Sequence, residues 1–303
     1  MKKAIILAVA IGAVVFSAQS YPISPRPLRK LVMESEYIIV AHVREVNEIR
    51  RNKNDKNWNS HVAIVDVIEQ IQGKPIPTIL QIGFPGNMIC PAPPYYEPDT
   101  DVLVFLDSDG EQFETHALSY GLKTLSHDAI EVYKARIKEL QEILTVQDKD
   151  TQFMMSVEWL VKCAENIETC HEGTYELSPG SDFMSLYDQT DGQPFVHMLT
   201  ISQRERLKNT LFAMHGILDF GLVDLVYPGN ESEVYKLLLT GLTEISEDYY
   251  WMADSYMSRI LLFKESAELK NIFERFSEIQ FDDKKSEMRD LIAEFVKEAG
   301  LLN

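Results

Sequence analysis

The chain has 303 residues, of which 45% are hydrophobic and 25% are charged, with 14 Gly and 13 Pro. This composition is typical of a globular protein and excludes the collagen-like, low-complexity and wholly disordered classes. The net charge is −18, with 47 acidic against 29 basic side chains. Because so acidic a surface repels phosphate backbones, we expect no nucleic-acid partner.

The first 20 residues have the features of a secretory signal peptide. Lys2 and Lys3 form a short positive start, and residues 4–16 contain no charged side chain. Ala18 and Ser20 are small residues at the positions that a signal peptidase reads, which predicts cleavage after Ser20. The apolar run is too short to cross roughly 30 Å of hydrocarbon, although an uncleaved anchor is the alternative. We therefore expect a secreted or periplasmic protein with no membrane span after cleavage.

Charge and periodicity divide the mature chain into two halves. Residues 21–145 carry 13 basic and 18 acidic side chains, whereas residues 146–303 carry 14 and 29. The hydrophobic pattern changes at the same place, from short β-type runs to helical spacing. We predict a first domain over residues 21–147 and an acidic α-helical domain over residues 148–303, joined at the polar stretch 145–151.

The first half is predicted to form five strands between two helices. A short helix begins at Leu28, and apolar residues every three to four positions predict a closing helix over residues 127–144. Asp109-Gly110 predicts a hairpin into the last strand. The five strands are predicted over residues 37–46, 61–71, 78–82, 101–106 and 112–118. This content is typical of a small Greek-key barrel of the OB type.

Four segments of this half resemble the bacterial netrin-like domains, whose OB-type barrel is similar to that of the tissue inhibitors of metalloproteases. The segments are ESEYIIVAHV at residues 34–43, VAIVDVIEQIQG at residues 62–73, the pair Cys90-Pro91, and VLVFL at residues 102–106. In that family the second segment ends in Lys-Gly, and here Gln72 replaces the Lys; residues 97–99 stand in the place of a family Gly. The resemblance implies the fold and does not define a function.

The same resemblance raises the question of protease inhibition. Metalloprotease inhibitors of this fold chelate the target's zinc with an N-terminal Cys that a disulfide holds in place. The expected mature chain begins at Tyr21 and has no Cys before Cys90. Because ordering an untethered segment costs about 1–2 kcal/mol per residue, we expect no tight inhibition of zinc proteases.

The second half is predicted to be helical, apart from a turn-rich stretch over residues 166–194. That stretch is too long for a plain connector, so it is a functional loop or is partly folded on its neighbours. Helices are predicted over residues 153–165, 202–215, 219–226, 231–244, 247–264, 267–278 and 284–299. The predicted class is therefore α+β, with a five-stranded OB-type β-barrel and flanking helices followed by an all-α domain. That second domain is a helical bundle or a short solenoid.

The three cysteines allow a disulfide and a less well supported metal site. In an oxidising compartment we predict a disulfide between Cys163 and Cys170, which leaves Cys90 buried in the barrel or paired with another chain. A metal site would add His171 and Glu172 to the two thiols, but the paired ligand spacing of zinc sites is absent. We therefore expect no metal and no cofactor.

Two aromatic clusters are the candidate binding surfaces. The first lies in a Pro-rich loop between barrel strands, where OB-type barrels place binding loops. The second follows the helical pattern near residue 250, and core packing is the competing interpretation there. The candidate residues are Pro93, Pro94, Tyr95, Tyr96, Tyr250 and Trp251.

No nucleophile elbow, zinc-protease helix or Gly-rich phosphate loop occurs in the sequence, and we assign no catalytic residue. The favoured function is an exported, non-catalytic binding or structural module that contacts an extracytoplasmic protein or glycan. The alternative is a metal-dependent hydrolase with acids and histidines from the 166–194 stretch and its surroundings. Its candidate groups are His171, Glu172, Glu176, Asp182, Asp188 and His197.

Overall fold

The structure is a computed structural model that describes residues 25–49, 59–87, 92–110, 112–178, 181–185, 199–214, 218–264, 266–280 and 284–301. It divides into two compact units, residues 1–142 and 143–303, whereas the sequence places a domain boundary after Gln147. The predicted signal peptide and Cys90 lie outside the described residues. Among the residues that are described, no helix has the length and apolar character needed to span a bilayer.

The first unit contains a closed five-stranded mixed β-barrel, as the sequence predicts. Its strand segments are β1 (Tyr37–Glu48), β2 (His61–Gln72), β3 (Ile79–Phe84), β4 (Asp101–Ser108), β5 (Phe113–Thr115) and β6 (Leu122–Thr124). The order β1-β2-β3-β5-β4 closes because β4 also pairs with β1, and among the described strand pairs only β3 and β5 run parallel. Register shifts between β1 and β2 bend these long strands, which lets the sheet curl into an OB-type barrel.

The fifth barrel strand is broken, which the sequence does not predict. Ala117 and Leu118 have φ of 53° and 55°, and two left-handed residues in succession cannot continue a strand. A 3₁₀ turn over Leu118–Gly121 follows, and β6 then resumes along the same edge of β4. Gly121 fits this turn because a Cβ there would overlap the carbonyl oxygen of His116. The predicted strand over residues 112–118 is therefore shorter, and its continuation is displaced.

The barrel core is formed by side chains that alternate along the strands. Successive residues of a strand point to opposite faces, so every second residue of β1 to β4 faces inward. A one-residue slip of a strand would exchange its inward and outward side chains, which fixes the register. The buried cluster contains Ile39, Ala41, Val43, Ala63, Val65, Leu80, Ile82, Phe84, Tyr96, Val102, Val104 and Leu106.

Two helices, α1 (Leu28–Glu34) and α2 (His127–Leu144), flank the barrel. Gln72 at the end of β2 connects both of them to the sheet. Its amide nitrogen lies 3.3 Å from the Val32 carbonyl oxygen and 2.9 Å from that of Ser35, and its amide oxygen accepts a bond of 2.9 Å from Gln141. A Lys at this position could donate to α1 but could not accept from α2. Gln72 therefore has a structural role as both donor and acceptor.

The second unit is helical throughout its described elements. Its helices are α3 (Lys149–Ala164), α4 (Cys170–Leu177), α5 (Asp182–Ser185), α6 (Ile201–Ala213), α7 (Phe220–Val226), α8 (Glu231–Glu244), α9 (Ala253–Phe263), α10 (Ala267–Ile279) and α11 (Lys285–Leu301). The turn-rich stretch after residue 166 is thus partly folded, as α4 and α5. The predicted helix over residues 247–264 is divided into a 3₁₀ segment, Glu247–Met252, and α9.

The last four helices form a closed group rather than an open stack. Each of them packs against its neighbours in sequence, and α8 also packs against α11. The Tyr235 hydroxyl of α8 donates a buried hydrogen bond of 2.9 Å to the Ala299 carbonyl oxygen of α11. Stacked helix pairs of a solenoid contact only adjacent repeats. The contact between the first and last helices is therefore typical of a bundle.

Candidate functional site

The loop over residues 92–100 of the barrel unit is held at both ends by backbone hydrogen bonds. Asp99 N donates to Val43 O at 2.8 Å, and Val43 N donates to Thr100 O at 2.9 Å. The Thr100 hydroxyl donates to the Glu97 carbonyl oxygen at 2.6 Å, and Asp99 has a φ of 62°, which completes a tight turn. At the other end Ser119 N donates to Ala92 O at 3.4 Å. The loop is therefore fixed to β1 and to the 3₁₀ turn.

Tyr96 fixes the middle of this loop from inside the barrel. Its ring packs 5.2 Å from that of Phe84, and its hydroxyl forms a hydrogen bond of 2.6 Å with the Thr115 hydroxyl. Burial raises the pKa of Tyr96 well above its ordinary value, and the bond to Thr115 opposes this only in part. Pro94 is buried as well. The prediction that Tyr96 and Pro94 belong to a binding surface is therefore corrected, because both side chains are directed inward.

Tyr95 is the part of the loop that faces solvent. In extended backbone successive side chains point to opposite sides, so the burial of Tyr96 directs Tyr95 outward. Tyr95 is 77% exposed, and Pro93 beside it is half-buried. Glu97 and Asp99, both exposed, add acidic groups near the ring in sequence. The loop thus presents one large aromatic side chain on a backbone that its neighbours hold in place.

A polar cluster lies where β2 begins and β3 ends. The Asn59 amide donates to a Glu114 carboxylate oxygen at 2.7 Å, and the Ser60 hydroxyl lies 2.9 Å from His61 Nδ1. The His61 ring also stacks on Phe84, with 5.4 Å between centroids, so it joins the aromatic series that reaches Tyr96. Ser60 and His61 are adjacent in sequence, and the Ser60 hydroxyl also accepts a bond from Asn87 N. This arrangement supports the loops, and within the described residues no third group is bonded to His61 to orient it for a nucleophile.

His116 links α1 to the barrel. Its Nδ1 lies 2.7 Å from Asp107 Oδ2, and its Nε2 lies 3.5 Å from Glu34 Oε2. Arg26 contacts the same Glu34 carboxylate oxygen at 2.9 Å. His42 likewise contacts Asp101, at 2.8 Å. Both histidines are therefore held by carboxylates and link parts of the barrel unit.

The second predicted aromatic cluster is only partly at the surface. Trp251 is 56% exposed and Tyr249 is partly exposed, whereas Tyr250 is buried. The 3₁₀ segment has three residues per turn, which places Tyr250 on the same side as the buried Ala253. The sequence predicts both Tyr250 and Trp251 as part of a binding surface. The 3₁₀ turn buries Tyr250, so that prediction is corrected for Tyr250.

Cys163 lies in the last turn of α3 and Cys170 begins α4, and both side chains are buried. They are thiols in the structure, so the disulfide between them stays a prediction. Burial, together with a smaller effect of the Asp219 carboxylate, raises the pKa of Cys170 to about 12. A thiol with so high a pKa forms little thiolate at neutral pH and is a poor nucleophile or metal ligand.

The groups of the alternative hydrolase do not converge in the part of the chain that is described. Glu172 and Glu176 lie on the buried face of α4, whereas the His171 side chain is 82% exposed. Asp182 is exposed at the start of α5, and the remaining candidates, Asp188 and His197, lie outside the described residues. Within the described ranges, no group of three or more His, Cys, Asp or Glu side chains is arranged to hold a metal ion.

The chain was compared with known proteins at the levels of family, sequence and structure. No model of a protein family, no curated protein and no solved structure matches it. The fold is therefore defined by the strand order and register described above, and the netrin-like resemblance depends on the four sequence segments alone.

Proposed function

We propose that this protein is an exported, non-catalytic binding module whose netrin-like, OB-type barrel contacts an extracytoplasmic protein through the loop over residues 92–100. Tyr95 is the central contact residue of this surface. Trp251 is exposed in the helical unit, and this function does not require it.

The observation that carries the proposal is the exposure of Tyr95 on an immobilised backbone. Tyrosine is enriched among the residues that dominate binding energy at protein interfaces, because its ring buries a large area and has few rotatable bonds. A loop that is already ordered loses little conformational entropy on binding. The hydrogen bonds of Asp99 and Val43 and the buried Tyr96 provide that order.

The surroundings of Tyr95 favour a protein partner over a glycan. Ala92, Pro93 and Pro94 precede it and offer no side-chain hydrogen-bonding group, whereas sugar hydroxyls require several such groups. Exposed Glu97 and Asp99 follow it. The expected partner therefore has an apolar pocket for the tyrosine ring, with basic residues at its edge.

Affinity capture with matched variants tests this function. The immobilised mature chain is incubated with envelope and culture-medium proteins of the source cell, as wild type, Tyr95→Ser and Leu262→Ser. Leu262 is 71% exposed in α9 and is the matched control for removing a large exposed apolar side chain. We expect proteins that bind the wild type and the control but are lost with Tyr95→Ser.

Two results would contradict the proposal. Identical capture by Tyr95→Ser and wild type would show that the loop is not the contact surface. Capture that is abolished by periodate oxidation of the extract would assign the ligand to a glycan instead of a protein.

A further inference from the structure

The helical unit contains a pocket that none of the preceding sites includes. It lies between the C-terminal end of α3, the turn after it, and the C-terminal end of α6, and its volume is about 530 Å³. Ala164, Ile167, Ala213 and Met214 give it a mainly apolar wall, and Asn209 adds an amide. Pockets that bind small molecules typically have about 300–1,000 Å³ and a similar mixture of apolar lining and few polar groups.

Two helix ends of the same sign border this pocket. The helix α3 ends at Ala164 and α6 ends at Ala213, and both residues line the wall. The carboxyl end of a helix carries about half a negative charge, so the two ends together favour a positive group between them. The last turn of α6 contains no basic side chain, and Lys162 is the basic residue in the last turn of α3.

The Arg206 guanidinium, whose partner Glu165 lines the pocket, is neutralised by carboxylates. Arg206 forms a two-bond contact with Glu165, at 2.6 and 2.5 Å, and its remaining nitrogen bonds Glu158 at 2.7 Å. The guanidinium is thus shared between two carboxylates. The unit as a whole has 14 basic and 29 acidic side chains over residues 143–303, which adds a negative background.

The surroundings of Cys170, which also lines the pocket, include a negative charge. Its side chain lines the pocket, and its pKa is raised mainly by burial and also by the negative charge of Asp219. Asp219 caps α7 by accepting a hydrogen bond from Leu222 N at 2.8 Å, so its carboxylate is fixed in place. Burial disfavours any charge at this wall, and the Asp219 carboxylate adds a further penalty for a negative one.

We propose that this pocket binds a small organic cation with an apolar body, of the alkylammonium type. The apolar part would lie against Ala164, Ile167 and Met214, and the ammonium group would lie near the two helix ends. This site lies in the helical unit and is independent of the Tyr95 surface.

The test uses three ligands with the same chain length and different charge: n-octylammonium, n-octanol and n-octanoate. Each is titrated into the full mature protein by calorimetry. Two helix ends are expected to make the dissociation constant of n-octylammonium about 3- to 30-fold lower than that of n-octanol, and n-octanoate should bind weakest. Absence of n-octylammonium binding, or equal or tighter binding of either other ligand, would overturn the proposal.

A pair of variants locates the binding. Ala213 lines the pocket at an exposed helix position, so Ala213→Trp should fill the space without disturbing the core. Ala293→Trp makes the same change at an exposed position of α11 and is the control. We expect at least about a tenfold loss of affinity for Ala213→Trp and no change for the control. An unchanged affinity in Ala213→Trp would place the ligand elsewhere and would refute the assignment.

Alkylation of Cys170 in the reduced wild-type protein, measured at that residue by peptide mass spectrometry, provides a readout that needs no variant. A bound alkylammonium would shield the thiol, so its slow reaction with iodoacetamide should become slower as the ligand is added. Reaction at an unaltered rate under saturating ligand would contradict binding in this pocket.

Discussion

Gly173→Ala should destabilise the helical unit, because the backbone of α3 leaves no room for a side chain there. Gly173 lies inside α4, where alanine normally improves helix stability by about 1 kcal/mol. A Cβ at this position would lie 2.5 Å from Ala164 N and still closer to the Leu160 carbonyl oxygen. Both distances from the added Cβ are shorter than 3.0 Å, and Cβ atoms in proteins essentially never approach other atoms so closely.

The expected size of the effect follows from these two opposing contributions. Overpacking in a tight interior costs about 1–3 kcal/mol, and the upper end applies because backbone atoms cannot rotate away as a side chain can. After the helix propensity gain is subtracted, the free energy of unfolding should fall by about 2 kcal/mol. With a urea m-value of about 2 kcal/mol/M, the midpoint should decrease by about 1 M.

Gly300→Ala is the matched control for this prediction. Gly300 lies in α11 with nothing within 4 Å of the place of its Cβ, so the same substitution should be neutral or stabilising by up to about 1 kcal/mol. Urea unfolding followed by tryptophan fluorescence, to which the buried Trp159 of α3 contributes, measures both variants. If Gly173→Ala were as stable as Gly300→Ala, the close packing of α3 and α4 would be wrong.

Three other perturbations test separate parts of the structure. Tyr96→Phe removes a buried hydroxyl that bonds Thr115 and should lower the free energy of unfolding by about 1–2 kcal/mol in urea unfolding. Because burial raises the pKa of Tyr96, ionisation of its hydroxyl opposes folding. The free energy of unfolding should therefore be unaffected by this group below about pH 10 and should decrease at higher pH. Tyr96→Phe should make that decrease smaller. The raised pKa of Cys170 predicts slow alkylation of this thiol in the native, reduced protein near pH 8. Thiol titration of the unfolded, unreduced chain should find one thiol per chain if Cys163 and Cys170 form the predicted disulfide. It should find three if they do not. Gln72→Lys should cost about 1 kcal/mol in thermal or urea unfolding because it loses the acceptor for α2, and an unchanged stability would show that this bond contributes nothing.

The barrel could be predicted because its strands carry a strict alternation of apolar residues. The β-branched runs of β1, β2 and β4 and the apolar repeat of α2 identify these elements without tertiary information. The break in the fifth strand could not be predicted in this way. Ala117 and Leu118 are not residues that usually adopt positive φ, and only the packing around Gly121 explains why they do.

The sequence did not predict the helix α4, because this helix contains a glycine. Gly173 and the turn-forming residues that follow it indicate a loop, because glycine in a helix interior is normally unfavourable. The structure uses this glycine for the close approach of α3. Glycine disfavours the helix α4 locally, but the close contact between α3 and α4 requires it.

The sequence identified the two segments that carry exposed aromatic side chains, but it did not identify which residue in each segment is exposed. Tyr95 and Tyr96 are identical in type, and only the hydroxyl of Thr115, distant in sequence, decides which one is buried. Tyr250 and Trp251 are separated in the same way by a 3₁₀ turn. Adjacent aromatic residues in a sequence carry no signal that distinguishes the inward from the outward member.

The affinity of the captured partner for Tyr95→Ala tests the central claim most directly. Surface plasmon resonance compares the wild-type chain, Tyr95→Ala and Leu262→Ala with the same partner. Loss of a dominant aromatic contact costs about 2 kcal/mol or more, so the dissociation constant of Tyr95→Ala should rise by at least about 30-fold while that of Leu262→Ala is unchanged. A rise of less than about threefold for Tyr95→Ala would contradict the assignment of the loop over residues 92–100 as the binding surface.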